Sequence, residues 1–294
     1  MAMIENRRRK SLIALTMVTP FVVTFSVFFL YPMLEMVRMS FTDAPLIGGG
    51  KWVGLDNYLK LFSDRLFTIS LKNNAYFVAL TVIPTTAIAL LIALAISRLS
   101  GVRQTVVMSL FFLPYVLPVS VVTEIWAWML DLQFGILQPV ISLIAGKPVA
   151  VFKNPYWVMP MVAVVTIWWT NGFNVLLFIA GLRNIPAELY EAAALDGATT
   201  WQKFSRVTWP LLWPVTALVL TLQLILQLKI FDQIYLLSGG GPFNSSYVLL
   251  LKVYREAFQS NNGGYASAVA TVLFVLIVVI SVLQFQLLRI RRNA

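Results

Sequence analysis

The stretch "RNIPAELYEAAALDGATTWQKFSRVTWPLLWPVTALVLTLQLILQL", Arg183 to Leu228, joins two kinds of sequence with no linker between them. From about Pro210 to Leu228 it is almost wholly apolar and close to the roughly 20 residues that cross a bilayer as a helix. The part before it carries helix punctuation. Pro186 suits a first helical position, where its missing N–H is no loss, and Glu188 then sits in the first turn, where the helix dipole favours an anion. Gly197 supplies the stop expected past a helix end, and Thr199 with Gln202 three residues on forms a capping box. The pattern predicts helix, turn, helix, the second ended by Pro210 or handed over at Pro210 to the apolar run.

Five more apolar runs lie outward of this one, near 12–34, 75–96, 106–129, 157–182 and 266–288. With 59% hydrophobic and 12% charged residues among 294, the expected fold class is all-α, a polytopic membrane protein of six spans. Prolines 20, 84, 114, 118 and 160 fall inside the runs, which a membrane bundle tolerates when neighbours satisfy the freed backbone groups. The first run is too long for a signal-peptide core and has no small-residue cleavage site, so it is read as a retained span. Basic residues gather before span one (Arg7 to Lys10), between spans two and three (Arg98, Arg103), between four and five (Arg183, Lys203, Arg206) and at the C-terminus (Arg289, Arg291, Arg292). By the positive-inside rule both termini are expected to be cytoplasmic. The expected organisation is a basic tail 1–10, a first span with an external loop 11–67, a core 68–288 holding the polar element 183–209, and a basic tail 289–294.

The net charge of +10 follows from these topology-setting bases and needs no nucleic acid. Cysteine and histidine are both absent, which removes disulfides, thiol and imidazole nucleophiles and most transition-metal sites. No GxxxxGK[ST] loop exists to cradle phosphates; "GGGK" at 48–51 and "SGGGP" at 238–242 read as turns. Glu124 and Asp131 are too far apart for one helical face and have no nucleophile beside them. The chain is therefore not expected to be an enzyme, and catalytic and metal residues are expected to be none.

In the first helix of 183–209, Ala192, Ala193 and Ala194 give a flat, small-sided surface, and Glu188, Glu191 and Asp196 give acidic hydrogen-bonding points. A linker lying on its own bundle and a docking element for another protein fit this pattern equally. A DNA-reading helix-turn-helix does not, because the surface is not basic.

The run E-A-A-x-x-x-G, Glu191 to Gly197, followed after nine residues by V-T-W-P, Val207 to Pro210, resembles the EAA signature of binding-protein-dependent ABC importer permeases. Val207 and Trp209 replace the usual Ile and Leu. "VGLDNYLKLF" at 53–62, "GLRNIPAELYEAAALDGA" at 181–198, "LLSGGGPFNSSYVLLLKVYREAF" at 236–258 and "GYASAVA" at 264–270 are similar to the carbohydrate-uptake, maltose-type branch. The resemblance implies a second homologous permease, two ATPase subunits and an external solute-binding protein as partners. It also implies no cofactor on this chain, with ATP and Mg on the partner ATPases. It makes Glu188, Glu191, Ala192, Ala193, Asp196 and Gly197 the coupling residues seated in an ATPase cleft.

A path for a carbohydrate-like solute needs polar and aromatic groups inside the bundle. Span four offers Trp168, Trp169, Thr170, Asn171, Phe173 and Asn174; span five offers Gln223 and Gln227 on one face, then Lys229, Asp232 and Gln233. The family resemblance places the solute near Phe173, Leu226, Gln227 and Ile230. Each polar group also reads as interhelical glue. Lys229 either pairs with Asp232 or attracts an acidic solute. An ion-coupled secondary transporter is the alternative function, although no buried ionisable relay or inverted repeat is evident. A membrane scaffold would not call for the polar and aromatic groups on spans four and five.

Overall fold

The computed structural model describes residues 15–290. In chain order its helices are α1 (Leu15–Met39), α2 (Asp56–Ser63), α3 (Arg65–Ile96), α4 (Gly101–Val116), α5 (Val119–Met129) and α6 (Gln138–Ala145). Then come α7 (Val158–Arg183), α8 (Ala187–Leu195), α9 (Thr200–Leu228), α10 (Asp232–Leu237), α11 (Leu249–Tyr254) and α12 (Gly263–Ile290). No strand occurs among the described residues, only the single bridge Thr42–Trp52. Helices α1, α3, α7, α9 and α12 are each long and apolar enough to cross a membrane, and the bent pair α4–α5 is long and apolar enough when taken together, as a broken span or a re-entrant loop. The expected basic tail 1–10 and the terminal Arg291 and Arg292 lie outside the described residues.

The third span departs from expectation. Its apolar run is not one straight helix: α4 and α5 meet at a bend of 97° across Leu117 and Pro118. Pro118 has no N–H to continue α4, and Leu117 before it adopts an extended backbone, ψ 138°. Pro114, four residues earlier, stays inside α4. Other limits shift as well. Helix α3 begins ten residues before the expected Ala75, capped by Asp64, whose side chain accepts from the Leu66 and Phe67 N–H groups at 2.7 and 3.2 Å.

The chain divides into two compact units. One holds the described residues up to Ser63 together with Val253–Leu273. There the amide of Asn57 donates to the carbonyls of Ser40 and Thr42, and Phe41 stacks on Trp52 at 5.3 Å. Gly264 lies so close to the Thr42 carbonyl that a Cβ would fall 1.9 Å from its oxygen, and its N–H donates to Ala44 O at 2.8 Å.

The other unit holds Asp64–Lys252 and the rest of α12. Helix α7 is its hub, packing against α3, α4 and α9. Small residues permit the approach: a Cβ on Gly172 of α7 would lie 2.1 Å from the Phe111 carbonyl oxygen of α4. Toward the α8 end, Ala89, Ala93 and Ile96 of α3, Val175 and Phe178 of α7, and Leu212 of α9 form one buried cluster. Thr81 and Thr166 hydroxyls donate to carbonyls four residues back, at 2.7 and 2.8 Å, and so bury their polar groups satisfied.

Candidate functional site

The helix-turn-helix between α7 and α9 forms as its punctuation predicts, with one adjustment. Pro186 stands one place earlier than expected, as the residue capping α8 (ψ 133°) rather than its first helical residue. Of the two outcomes open at Pro210, the second helix is handed over to span five. Thr200–Leu228 is continuous, widening into a π turn over Phe204–Thr208 just before Pro210. Pro210 has no N–H to give to Arg206, and the wider turn absorbs the mismatch instead of ending the helix.

Helix α8 ends in two bonds that stop it cleanly: Gly197 N–H donates to Ala194 O at 3.0 Å and Ala198 N–H to Ala193 O at 2.9 Å. This pairing requires a left-handed residue between them, and Gly197 supplies φ +75°. The capping box is complete. Gln202 N–H donates to Thr199 Oγ1 at 3.3 Å, and Thr199 N–H to Gln202 Oε1 at 2.7 Å.

Helix α8 buries none of its residues. Glu188, Glu191, Ala192, Asp196 and Gly197 are exposed and Ala193 is half-buried. Leu195 is 90% exposed, which an amphipathic linker resting on its own bundle would avoid. Tyr190 ties α8 to the bundle, its hydroxyl meeting Thr208 Oγ1 at 2.9 Å. The short turn and this contact join α8 to α9.

Along α9 the amides lie on one ladder with α7. Gln227 Nε2 donates to Gln223 Oε1 at 2.8 Å, Gln223 Nε2 donates to Asn174 Oδ1 at 3.0 Å, and Asn174 Nδ2 reaches Thr170 O at 3.5 Å. Asn174, Gln223 and Gln227 are all buried, so they bond one another here. Phe173 is half-buried and stacks on Tyr115 at 5.2 Å; Trp169 donates its Nε1–H to Leu117 O at 3.1 Å. Ile230 is buried and Leu226 is exposed. Lys229 lies just past the end of α9, exposed, and it forms no ion pair with Asp232 among the described residues. The expected pairing is therefore not observed, because α9 stops at Leu228 and the two side chains do not share a helical turn.

Three features at the other end of the helices escaped sequence reasoning. Asn74 of α3 donates to Leu228 O at 2.9 Å and accepts from Leu249 N–H at 2.8 Å, closing one end each of α9 and α11. Asn73 donates to the carbonyls of Asn244 and Tyr247, both at 2.9 Å. Lys252, buried in α11, meets Asp64 at 2.7 Å. A lone cation in "LLLKVY" and an amide pair opening an apolar run are the available signals. The glycine-rich stretch does form a turn: Ser238 and Ser246 hydroxyls meet at 2.8 Å, and Gly239 and Gly240 take positive φ.

Comparison with known proteins is consistent along the whole chain. Residues 85–292 match the family described as binding-protein-dependent transport system inner membrane component. The arabinooligosaccharides transport system permease protein AraP of Bacillus subtilis is 32% identical, over 91% of this chain and 86% of its own. The trehalose/maltose transport system permease protein MalF of Thermococcus litoralis is 30% identical, over 97% and 96%. A chain from the crystal structure of a bacterial ABC transporter involved in the import of the acidic polysaccharide alginate superposes with a TM-score of 0.86 at 25% identity, covering 98% of this chain and 99% of that one. A second chain, from the alginate ABC transporter in complex with alginate pentasaccharide-bound periplasmic protein, also gives 0.86 at 25% identity, covering 99% and 98%. With its membrane helices, its exposed α8 and its matched core in agreement, the chain belongs to the family of binding-protein-dependent transport system inner membrane components, the permease subunits of ABC importers.

Proposed function

We propose that the chain forms half of a translocation pathway for a sugar, sugar derivative or polyol, and that α8 is the coupling helix through which separate ATPase subunits drive it. The observation that carries this reading is α8 itself. A membrane protein that leaves a capped helix with no buried residue, its Tyr190 bonded to Thr208 of the next span, presents a surface for another protein. The family supports a second permease, two ATPases that bind ATP and Mg, and an external solute-binding protein as partners. The alginate transporter, captured with its periplasmic protein, supports the last of these. The relatives that handle arabinooligosaccharides and trehalose/maltose support the carbohydrate class.

In this reading Glu188, Glu191 and Asp196 meet basic groups of the ATPase, and Ala192 and Ala193 allow close seating. Gly197 holds the turn. Closure of the ATPases pushes α8, and α9 carries the displacement into the membrane as a rod of about 43 Å, 29 residues at about 1.5 Å each. The solute passes along α7 and α9, by Trp169, Thr170, Phe173, Asn174, Gln223, Leu226, Gln227, Lys229 and Ile230. The amides that now bond one another exchange those bonds for solute hydroxyls as the helices part. The α8 end faces the cytoplasm, with both termini, in a plasma membrane of bacterial type; the basic residues at that end support this.

The test is ATPase activity of the reconstituted complex with binding protein and solute. Glu191→Lys and Gly197→Pro should abolish the stimulation while the permease still inserts. Stimulation at the wild-type level in both variants would overturn the assignment of α8.

A further inference from the structure

Beside α8 lies a groove of about 780 Å³ whose walls come from the end of α3, the end of α7, Tyr190 and the first two turns of α9. Its lining is of two kinds. Arg98, two residues past α3, and Lys203, in the first turn of α9, bring positive charge. Neither has an ion-pair partner among the described residues. Leu91 and Leu94 of α3, Leu182 of α7 and Phe204 of α9 make much of the rest apolar. Leu91 precedes Arg98 by seven residues, about 10 Å along a helix axis. On α3 the cation thus stands past the helix end and the leucines about one and two turns before it, while on α9 Phe204 follows Lys203 directly. At the level of Lys203 the Trp201 ring is 71% exposed, tilted against Phe204 at 5.5 Å, as an indole at a headgroup boundary would be.

We propose that this groove holds one anionic phospholipid, its phosphate between Arg98 and Lys203 and an acyl chain along Leu91, Leu94 and Phe204. Two cations beside an apolar wall that runs about 10 Å along α3 match a lipid that is charged at one end and hydrocarbon at the other. A soluble anion would leave the apolar wall uncovered, and a zwitterionic lipid would bring its own ammonium up to two cations. Because the slot is walled by α3, α7, Tyr190 and α9 together, the bound lipid braces the base of α8 against the bundle. The inference does not depend on what the chain transports.

The test is lipid retention by the assembled complex, purified in detergent and examined by native mass spectrometry after titration with phosphatidylglycerol or phosphatidylcholine of equal chain length. Wild type should retain phosphatidylglycerol selectively. The double variant Arg98→Ala/Lys203→Ala should bind it about 30-fold more weakly, the loss set by two cations at a charged lipid surface. Arg98→Lys/Lys203→Arg, with both charges kept, should bind within a few-fold of wild type, which separates charge from damage to the fold. Equal retention by wild type and the double alanine variant overturns the proposal. So does equal binding of the two lipids, or no retention at all because a partner subunit covers the groove. Displacement of the lipid by inorganic phosphate alone would assign the site to a free anion and overturn it too.

Discussion

Asn74→Ala removes two hydrogen bonds that no neighbouring water can replace. Asn74 is 1% exposed, and its partners are backbone groups at helix ends: the carbonyl of Leu228 where α9 stops, and the N–H of Leu249 where α11 starts. Helix ends leave such groups without intrahelical partners, so one side chain here does the capping of two helices. Each buried group left unsatisfied costs about 1–3 kcal/mol, so the pair costs about 4 kcal/mol at mid-range. For a chain of this size each kcal/mol moves the thermal midpoint by about 2–4 °C, so a drop of about 8–16 °C is expected. The assay is tryptophan fluorescence of the purified complex on heating. The internal control is Asn73→Ala. Asn73 also donates to two carbonyls, but it is only half-buried and water can take over, so its cost is expected near 1 kcal/mol or less. A midpoint for Asn74→Ala no lower than that for Asn73→Ala would refute the reasoning.

Three further outcomes follow from the geometry. Gly197→Ala forces a side chain into φ +75° and should cost about 1–2 kcal/mol locally, lowering solute-stimulated ATPase without loss of membrane insertion; unchanged coupling would count against the turn's role. Gly172→Leu cannot be accommodated against the Phe111 backbone, so the yield of folded permease, read by size-exclusion profile, should collapse, whereas Leu195→Ser on the exposed face of α8 should leave that profile intact. Gln223→Leu takes the middle rung from the amide ladder and leaves Asn174 Oδ1 buried without its donor; about 1–3 kcal/mol of destabilisation and altered uptake are expected, and a stable variant with wild-type transport would show that the ladder is neither glue nor path.

What the sequence disclosed was local. The α8 turn and the Thr199 cap depend on residues within six positions of one another, and both form as the pattern predicts, with Pro186 displaced by a single place. Gln223 and Gln227 share a helical face and bond at 2.8 Å, as their spacing requires. What it hid was distant. Pro114 and Pro118 look alike in an apolar run, yet only Pro118 breaks the helix, and the Leu117 carbonyl beside it finds its donor on Trp169, 52 residues away. The rung from Gln223 to Asn174 spans 49 residues, and the Asn74 contacts span more than 150. Periodicity carries no information on such partners, which is why the helices were legible and the joints between them were not.

The bend between α4 and α5 also constrains how the protein can be made. Helix α4, with 16 residues, reaches about 24 Å, short of a hydrocarbon layer of about 30 Å. At the bend the Leu117 carbonyl accepts from a side chain, and lipid would offer it no replacement. The donor that serves Leu117 belongs to α7, which leaves the ribosome later. During synthesis, therefore, the α4–α5 pair lacks this bond until α7 arrives, and the expected outcome is that they enter the bilayer together. A chain halted between residues 130 and 157 should remain in contact with the insertion machinery, and one extended past residue 183 should be released from it.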